Sequence, residues 1–388
     1  MSDSALVNRA ARLLSLVSPR TPLEAVLRRE LTPRRDLSPA ERRHIVRALN
    51  AAFRWQGWIE PGTPVQQRIQ EALTWQGRFD AAAIKSEALA ARAVPAWAWE
   101  ELVFEDQDSK SAWLRHLQRD PTLWIRTRRE AAASIPGLLG DCQPVPAGFV
   151  EAFGPAPTAF RYAGARDLFL TPGFREGRFE IQDLASQLVG HACAPKPGET
   201  WWDACAGEGG KMLHLADLME NKGLIWASDR SARRLAILRQ RAARARVFNY
   251  RAVAWDGGRH PPTRTRFDGV LVDAPCSGVG TWQRHPQARW TTAPRDVAEL
   301  AAVQRRLLDC AAGALKPGGR LVYSVCTLTR SETTGLAEAF AAAHPELEPV
   351  DVFAPQAGAA PGSRHSATLW PHVLDSNGMF LAAWRRKP

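Results

Sequence analysis

The chain has 388 residues, enough for two or three domains with cores of their own. Its net charge of +11 and pI near 9.9 favour an anionic partner, and nucleic acid is the commonest one. No apolar run approaches the ~20 residues that cross a bilayer, and the six dispersed cysteines have neither disulfide-scaffold nor zinc spacing, which argues against membrane, disulfide-rich and structural-metal classes.

The basic residues are mostly Arg, a bias that GC-rich coding would also produce, so charge alone does not name the partner. Met1-Ser-Asp-Ser lacks the basic and apolar regions of a signal peptide. The expectation is a reduced, cytoplasmic protein that acts as a monomer.

Residues 5 to 60 read as helices. Leu6, Ala10, Leu13, Leu14 and Val17 recur at helical spacing, and Pro19 and Pro22 break the run. A second helix starts at Ser38-Pro39, with Ser38 as N-cap and Pro39 at the first position. It carries Arg42, Arg43, Arg47 and Arg54, either as a solvated surface or as an RNA-facing stripe. A small helical domain is expected over 1–80.

Residues 85–168 suggest a small α/β connector, with Trp97, Trp99, Trp113 and Trp124 in core or inter-domain packing. Pro144 to Gly154 and Gly173 to Gly177 read as loops. From about 180 strands alternate with helices, as in a parallel sheet, within a domain expected over 170–388. The strands are Glu199–Asp203, Gly223–Ser228, Phe248–Val253, Phe267–Val272 and Arg320–Ser324. Leu300, Val303, Leu307, Leu308, Ala311 and Leu315 share one helix face before Lys316-Pro-Gly-Gly319.

Three strand ends carry chemistry. The first strand runs into Asp203-Ala-Cys205-Ala206-Gly207-Glu208-Gly209-Gly210-Lys211, a glycine loop that lets a ligand approach the backbone and the next helix N-terminus. Met212 defeats both the dinucleotide and the P-loop fingerprints, which suits an adenosyl ligand without phosphates. Asp229 closes the next strand, placed to accept from ribose hydroxyls, and Asp256 closes the third, placed to accept from an adenine amino group. Either Asp alone is as readily a helix cap or turn residue. Asp273 makes a third acidic strand end.

Two cysteines follow the last two strands, Cys276 in Asp273-Ala-Pro-Cys276-Ser-Gly and Cys326 in Tyr323-Ser-Val-Cys326-Thr. If those strands are neighbours, both thiols open into one pocket outside the carboxyl ends of the sheet. A thiol there can add to an electron-poor carbon. A single buried cysteine after a strand is more often an apolar filler, and Cys142, Cys193 and Cys310 are read that way.

These motifs resemble the Sun/Fmu-type RNA (cytosine-C5) methyltransferase family, similar to ribosomal RNA small subunit methyltransferase B. Asp203 to Met212 matches its Asp-x-Cys-Ala-Ala-Pro-Gly-Gly-Lys-Thr loop, Asp273 to Thr281 its Asp-Ala-Pro-Cys-Ser-Gly-x-Gly-Thr, and Pro317 to Thr327 its Pro-Gly-Gly-x-Leu-Val-Tyr-Ser-Thr-Cys-Ser. Gln182-Asp183 and Asn377-Gly378-Met-Phe380 look like its flanking motifs. The likeness covers about 170–388, while the N-terminal helices resemble a NusB-like RNA-binding domain.

The resemblance implies a Rossmann-like class I methyltransferase domain with a mainly parallel sheet, S-adenosyl-L-methionine as cofactor, and RNA as partner, ribosomal or transfer. It also implies Cys326 as nucleophile on C6 of cytosine, Asp273 holding or protonating N3, and Cys276 assisting release. Cys205 through Lys211, Asp229, Asp256 and Asp273 would line the cofactor.

The chain departs from the family pattern at four places. Gly207-Glu208 replaces Ala-Pro, Val325 replaces Thr, His285 stands where Asn is usual, and Ser331-Glu332-Thr333-Thr334 keeps one of the usual acidic residues. A free thiol has a pKa of about 8.5, so the site must activate Cys326, and Lys211 is a candidate source of positive potential. Trp282 and Trp290 suit either base stacking or core packing. Arg284 and the arginines from Arg233 to Arg251 suit either phosphates or solvent. The competing functions are a non-catalytic RNA-binding assembly factor and a DNA methyltransferase, although DNA enzymes usually place the nucleophile in the earlier Pro-Cys motif.

Overall fold

The structure is a computed structural model that describes residues 3–18, 21–31, 36–145, 158–353 and 365–388. Pro19 and most of the expected loop after Pro144 lie outside the described residues. The chain divides into two compact units, Met1–Pro121 with Gly278–Pro294, and Thr122–Ser277 with Arg295–Pro388.

The first unit is helical, with its longer helices at Asp3–Leu14, Pro39–Arg54, Val65–Arg78 and Gln107–Leu117. Ser38 caps the second of these as expected, in a capping box that Glu41 closes three residues later. Leu6, Ala10, Leu13 and Leu14 are buried with Ile45, Leu49, Trp55 and Ile69. Arg54 does not join a surface stripe. Its guanidinium is buried and donates to Asp120 (2.8 Å), Gln76 (2.8 Å) and the carbonyl of Gln283 (3.2 Å).

The segment Gly278–Pro294 packs as part of this helical core. Trp282 is fully buried edge-on to Trp97, and the Trp290 indole donates to the carbonyl of Phe53 at 2.7 Å. Both tryptophans therefore take the packing role rather than the stacking one. Arg289, fully buried, donates to the carbonyls of Trp282, Leu117 and Ala93. Arg289→Met would strip those carbonyls of their donors, at a cost of about 2 kcal/mol. Urea unfolding of the whole protein, followed by tryptophan fluorescence, is expected to show an earlier transition.

The second unit opens with a four-stranded antiparallel sheet in the order β2-β3-β1-β4. Its strands are β1 (Leu123–Thr127), β2 (Cys142–Pro144), β3 (Ala159–Tyr162) and β4 (Phe179–Ile181). Trp124 is buried there and its indole donates to the carbonyl of Asp375 at 2.8 Å.

The large sheet contains β5 (Thr200–Asp203), β6 (Leu224–Asp229), β7 (Tyr250–Ala254), β8 (Phe267–Asp273), β9 (Leu315–Val325), β10 (Leu347–Pro349), β11 (Ser366–Leu369) and β12 (Met379–Arg386). The order is β10-β12-β9-β8-β5-β6-β7, with β11 also on β12. The five expected strands are all present and mutually parallel, while β12 runs antiparallel to β9. Helices Gly210–Leu218, Ala232–Arg244 and Pro294–Ala314 supply the crossovers.

Strand alternation sends Trp201 and Trp202 to opposite faces, each into its own apolar core. Gly269 on β8 admits the Trp201 ring, since a Cβ there would lie 2.2 Å from it. The chain leaves β5 for β6 on one side, and β8 pairs on the other. That reversal at β5 is a topological switch point, where open α/β sheets bind their ligands at the carboxyl ends.

Candidate active site

The carboxyl ends of β5, β6, β8 and β9 collect most of the residues singled out in the sequence. Asp273 ends β8 directly opposite Ser324 of β9. Pairing of these two strands is what brings the cysteine-bearing loops together, and the Cys276 and Cys326 sulfurs stand 3.3 Å apart. Both thiols are half-buried, each packed at the edge of an apolar core.

Asp273 is held from two sides. Lys211 Nζ donates to its Oδ2 at 2.7 Å, and Ser324 Oγ donates to its Oδ1 at 2.8 Å. Burial works against the charge of Lys211, but the Asp273 carboxylate outweighs it and keeps the ammonium above its usual range. The Cys326 thiol is lowered. The hydrogen bond from Cys276 is the largest cause, and Lys211 adds to it against burial and the charge of Asp273. The Lys211 contribution is the one expected from the sequence, and the hydrogen bond from the second thiol, which the sequence did not suggest, is the larger.

A measurable consequence concerns alkylation, which requires the thiolate. Iodoacetamide modification of Cys326, read by peptide mass spectrometry, should inflect below the pH of an ordinary thiol. In Cys276→Ala the supporting donor is gone, so the inflection should move up, with alkylation at pH 7 slowed about tenfold. An unchanged inflection would contradict the hydrogen bond.

The glycine loop sits beside this pair through Lys211. Gly207 and Gly209 take left-handed φ values of 55° and 87°. At Gly209 a Cβ would lie 2.8 Å from the Leu238 side chain, so the turn admits no larger residue without strain. Gly209 starts helix Gly210–Leu218 with no side-chain cap, which leaves the terminal N–H groups to a ligand.

Asp229 ends β6 and accepts from Gly207 N at 3.1 Å and Ser231 N at 2.7 Å. Asp256 lies just beyond β7, exposed, and accepts from Gly258 N at 2.9 Å. Cys205 has its thiol raised by burial. The backbone carbonyl of Glu208 accepts from Arg241 (3.1 Å), itself paired with Glu180 (2.9 Å), a bond that any residue at 208 could accept.

Asp203 is fully buried at the end of β5. Its oxygens make no hydrogen bond of normal geometry to a described residue, although the nearby Cys205 amide favours its charged form. Burial and then the neighbouring Asp273 push it up to about 8. The flanking motifs reach the same region. Gln182 Nε2 donates to the carbonyl of Gly210 (3.3 Å), and Asp183 accepts from Asn377 N (3.1 Å).

Sequence reasoning passed over Ser324, Ser277 and Gln304. Gln304 had a legible signal, since it falls within the apolar stripe of Leu300, Val303, Leu307 and Leu308 and is fully buried. A polar residue on a buried helix face has a partner to find.

A parallel sheet reversed at its first strand, a glycine turn after that strand and acidic residues after the next ones define a class I methyltransferase fold. Two solved structures share it: PH0851, over 100% of this chain and 99% of that one (TM-score 0.78, 23% identity), and a methyltransferase homolog protein from Pyrococcus horikoshii, over 72% and 91% (TM-score 0.58, 26% identity).

The profile of the 16S rRNA methyltransferase RsmB/F family matches residues 191–385, and the chain belongs to that family. Ribosomal RNA small subunit methyltransferase B of Klebsiella pneumoniae is 32% identical over 326 residues, covering 81% of this chain and 69% of that protein. The probable methyltransferase B of Bacillus subtilis is 36% identical over 219 residues, covering 55% and 49%. The chain thus spans about half the length of that relative, as it does of the Synechocystis one.

Proposed function

We propose that this protein is an S-adenosylmethionine-dependent RNA cytosine-C5 methyltransferase acting on small-subunit ribosomal RNA through a covalent Cys326–C6 adduct. The observation that carries the reading is the 3.3 Å approach of the two thiols beside the Lys211–Asp273 pair. The family supports an RNA methyltransferase, and the cysteine chemistry supports the base and the position.

The residues fit the cofactor. Gly207 to Lys211 would pass beneath the methionine portion, Asp229 would accept from the ribose hydroxyls and Asp256 from the adenine amino group. A related structure, NSun6 from Pyrococcus horikoshii, was solved with SFG and shares 28% identity over 61% of this chain and 60% of that one (TM-score 0.52). When bound, S-adenosylmethionine supplies an electrophilic methyl carbon.

C5 of cytosine is too weak a nucleophile to take that carbon unaided. Cys326 thiolate adds to C6 as a proton from solvent passes to N3 through Asp273, and the C5–C6 electron pair shifts to C4–C5, leaving an enamine that is nucleophilic at C5. After C5 gains the methyl group, water takes the C5 proton, the C5–H electron pair restores the C5–C6 double bond, the C6–S pair leaves with Cys326 as thiolate, and N3 gives its proton back through Asp273. Cys276, at hydrogen-bond distance, stabilises the departing Cys326 thiolate. The cytosine must be unpaired or turned out of its helix to be reached.

We further read the N-terminal helices as RNA-binding, the protein as a cytoplasmic monomer, and the chain as three sequence domains at 1–80, 85–168 and 170–388. Among the described residues no helix is long and apolar enough to cross a membrane. Labelled S-adenosylmethionine with purified small-subunit ribosomal RNA should give 5-methylcytidine on nucleoside digestion. Label in adenosine only, or in protein only, contradicts the proposal.

A further inference from the structure

The two cysteine loops are joined by a second, largely buried structure that the reaction above does not use. Its centre is Glu332, whose side chain has no solvent exposure. Oε1 accepts from Ser277 N at 2.9 Å and from Gln304 Nε2 at 2.8 Å. Oε2 accepts from Thr329 Oγ1 at 2.7 Å and from Ser277 Oγ. None of these four donors is a cation. A carboxylate so far from water is tolerable only when its lone pairs are filled in this way.

The network reaches both cysteine loops. Pro275 and Ser277 flank Cys276, and Thr327 follows Cys326. Gln304 Nε2 also donates to the carbonyl of Pro275 at 2.8 Å. Ser277 Oγ spends its proton on Glu332, so Thr327 Oγ1, 2.8 Å away, is its donor. The Tyr323 hydroxyl reaches the Glu332 carbonyl at 2.7 Å and Gln304 Oε1 at 3.0 Å, and its single proton serves one at a time. Pro275 and Ser277, on either side of one reactive cysteine, and the residue after the other are thus tied to a single carboxylate.

We infer that Glu332 is a positioning residue that fixes Cys276 against Cys326. It touches no reacting atom. Its four donors define where the Cys276 loop stops, and a glutamine cannot accept at both oxygens. In Glu332→Gln the amide NH₂ faces the Ser277 and Thr329 hydroxyls, which must both turn from donating to accepting, and the charge that draws four donors together is lost, so the Ser277 side of the network is loosened.

The inference rests on the proposed chemistry for its activity arm only. In turnover, Glu332→Gln should lower kcat about 100-fold, the scale of a 1 Å misplacement, with KM for RNA and for S-adenosylmethionine unchanged. Glu332→Asp, which keeps the charge on a shorter stem, should recover part of that loss. The second arm needs neither RNA nor cofactor. Glu332→Gln should shift the pH inflection of Cys326 alkylation upward toward that of Cys276→Ala, and should add no further shift in a Cys276→Ala background.

Circular dichroism and thermal melting establish that each variant is folded. Should Glu332→Gln not fold, Ser277→Ala removes one donor and reads the same two quantities with smaller shifts. A folded variant with kcat within twofold of wild type, or with an unmoved inflection, overturns the inference. So does a shift of equal size in the Cys276→Ala background. Loss of the RNA activity in wild type would sink the methyltransferase reading and leave the alkylation test standing.

Discussion

Cys326→Ala should abolish methyl transfer, lowering kcat by at least about a thousandfold, because it removes the thiolate that adds to C6 and makes C5 reactive. Cys326 leads β9 into the site, and its thiol is lowered chiefly by the Cys276 hydrogen bond. Removing one sulfur from a half-buried position should leave S-adenosylmethionine affinity and the melting temperature close to wild type. Retained turnover in a folded Cys326→Ala protein would assign the nucleophile elsewhere. The assay is single-turnover transfer of label to ribosomal RNA, with equilibrium binding of the cofactor as control.

Cys276→Ala should fail at a different step. The thiol 3.3 Å from Cys326 stabilises its thiolate, and a stabilised thiolate is a better leaving group. Without it the balance between adduct and free thiolate moves toward the adduct, so turnover should fall at least about a hundredfold while covalent complex accumulates. A denaturing gel of protein with labelled RNA should show a band of retarded mobility in Cys276→Ala. The Cys326→Ala/Cys276→Ala double variant should show none. A Cys276→Ala enzyme that turns over normally would remove Cys276 from the release step.

Much of this was readable in the chain because the relevant signals are local. The N-cap at Ser38 and the five parallel strands follow from periodicity and turn chemistry, and the structure reproduces them with ends shifted by a few residues. The pairing of β8 with β9 was stated as a condition in the sequence and is met in the structure, with Asp273 opposite Ser324.

Long-range packing was less legible. β12 has the run Met379 to Trp384 buried on both faces between β9 and its edge partners, so it shows no alternation to mark it as a strand. Trp282 and Trp290 lie close to Cys276 in sequence, yet the chain carries them into the helical unit, where one is fully buried and the other is tied to Phe53. Arg54 looked like a surface charge because its partners, Asp120 and the carbonyl of Gln283, are 66 and 229 residues away. The Glu332 network has the same character. Four donors from three separate segments converge on it, and only its burial reveals that they do.

The most direct test of the central claim is tandem mass spectrometry of the covalent complex formed by Cys276→Ala with ribosomal RNA and S-adenosylmethionine. After protease and nuclease digestion, the account predicts a cross-linked peptide containing Cys326 that carries a methylated cytidine. A nucleotide attached at any other residue, or a modified base other than cytosine, would contradict it.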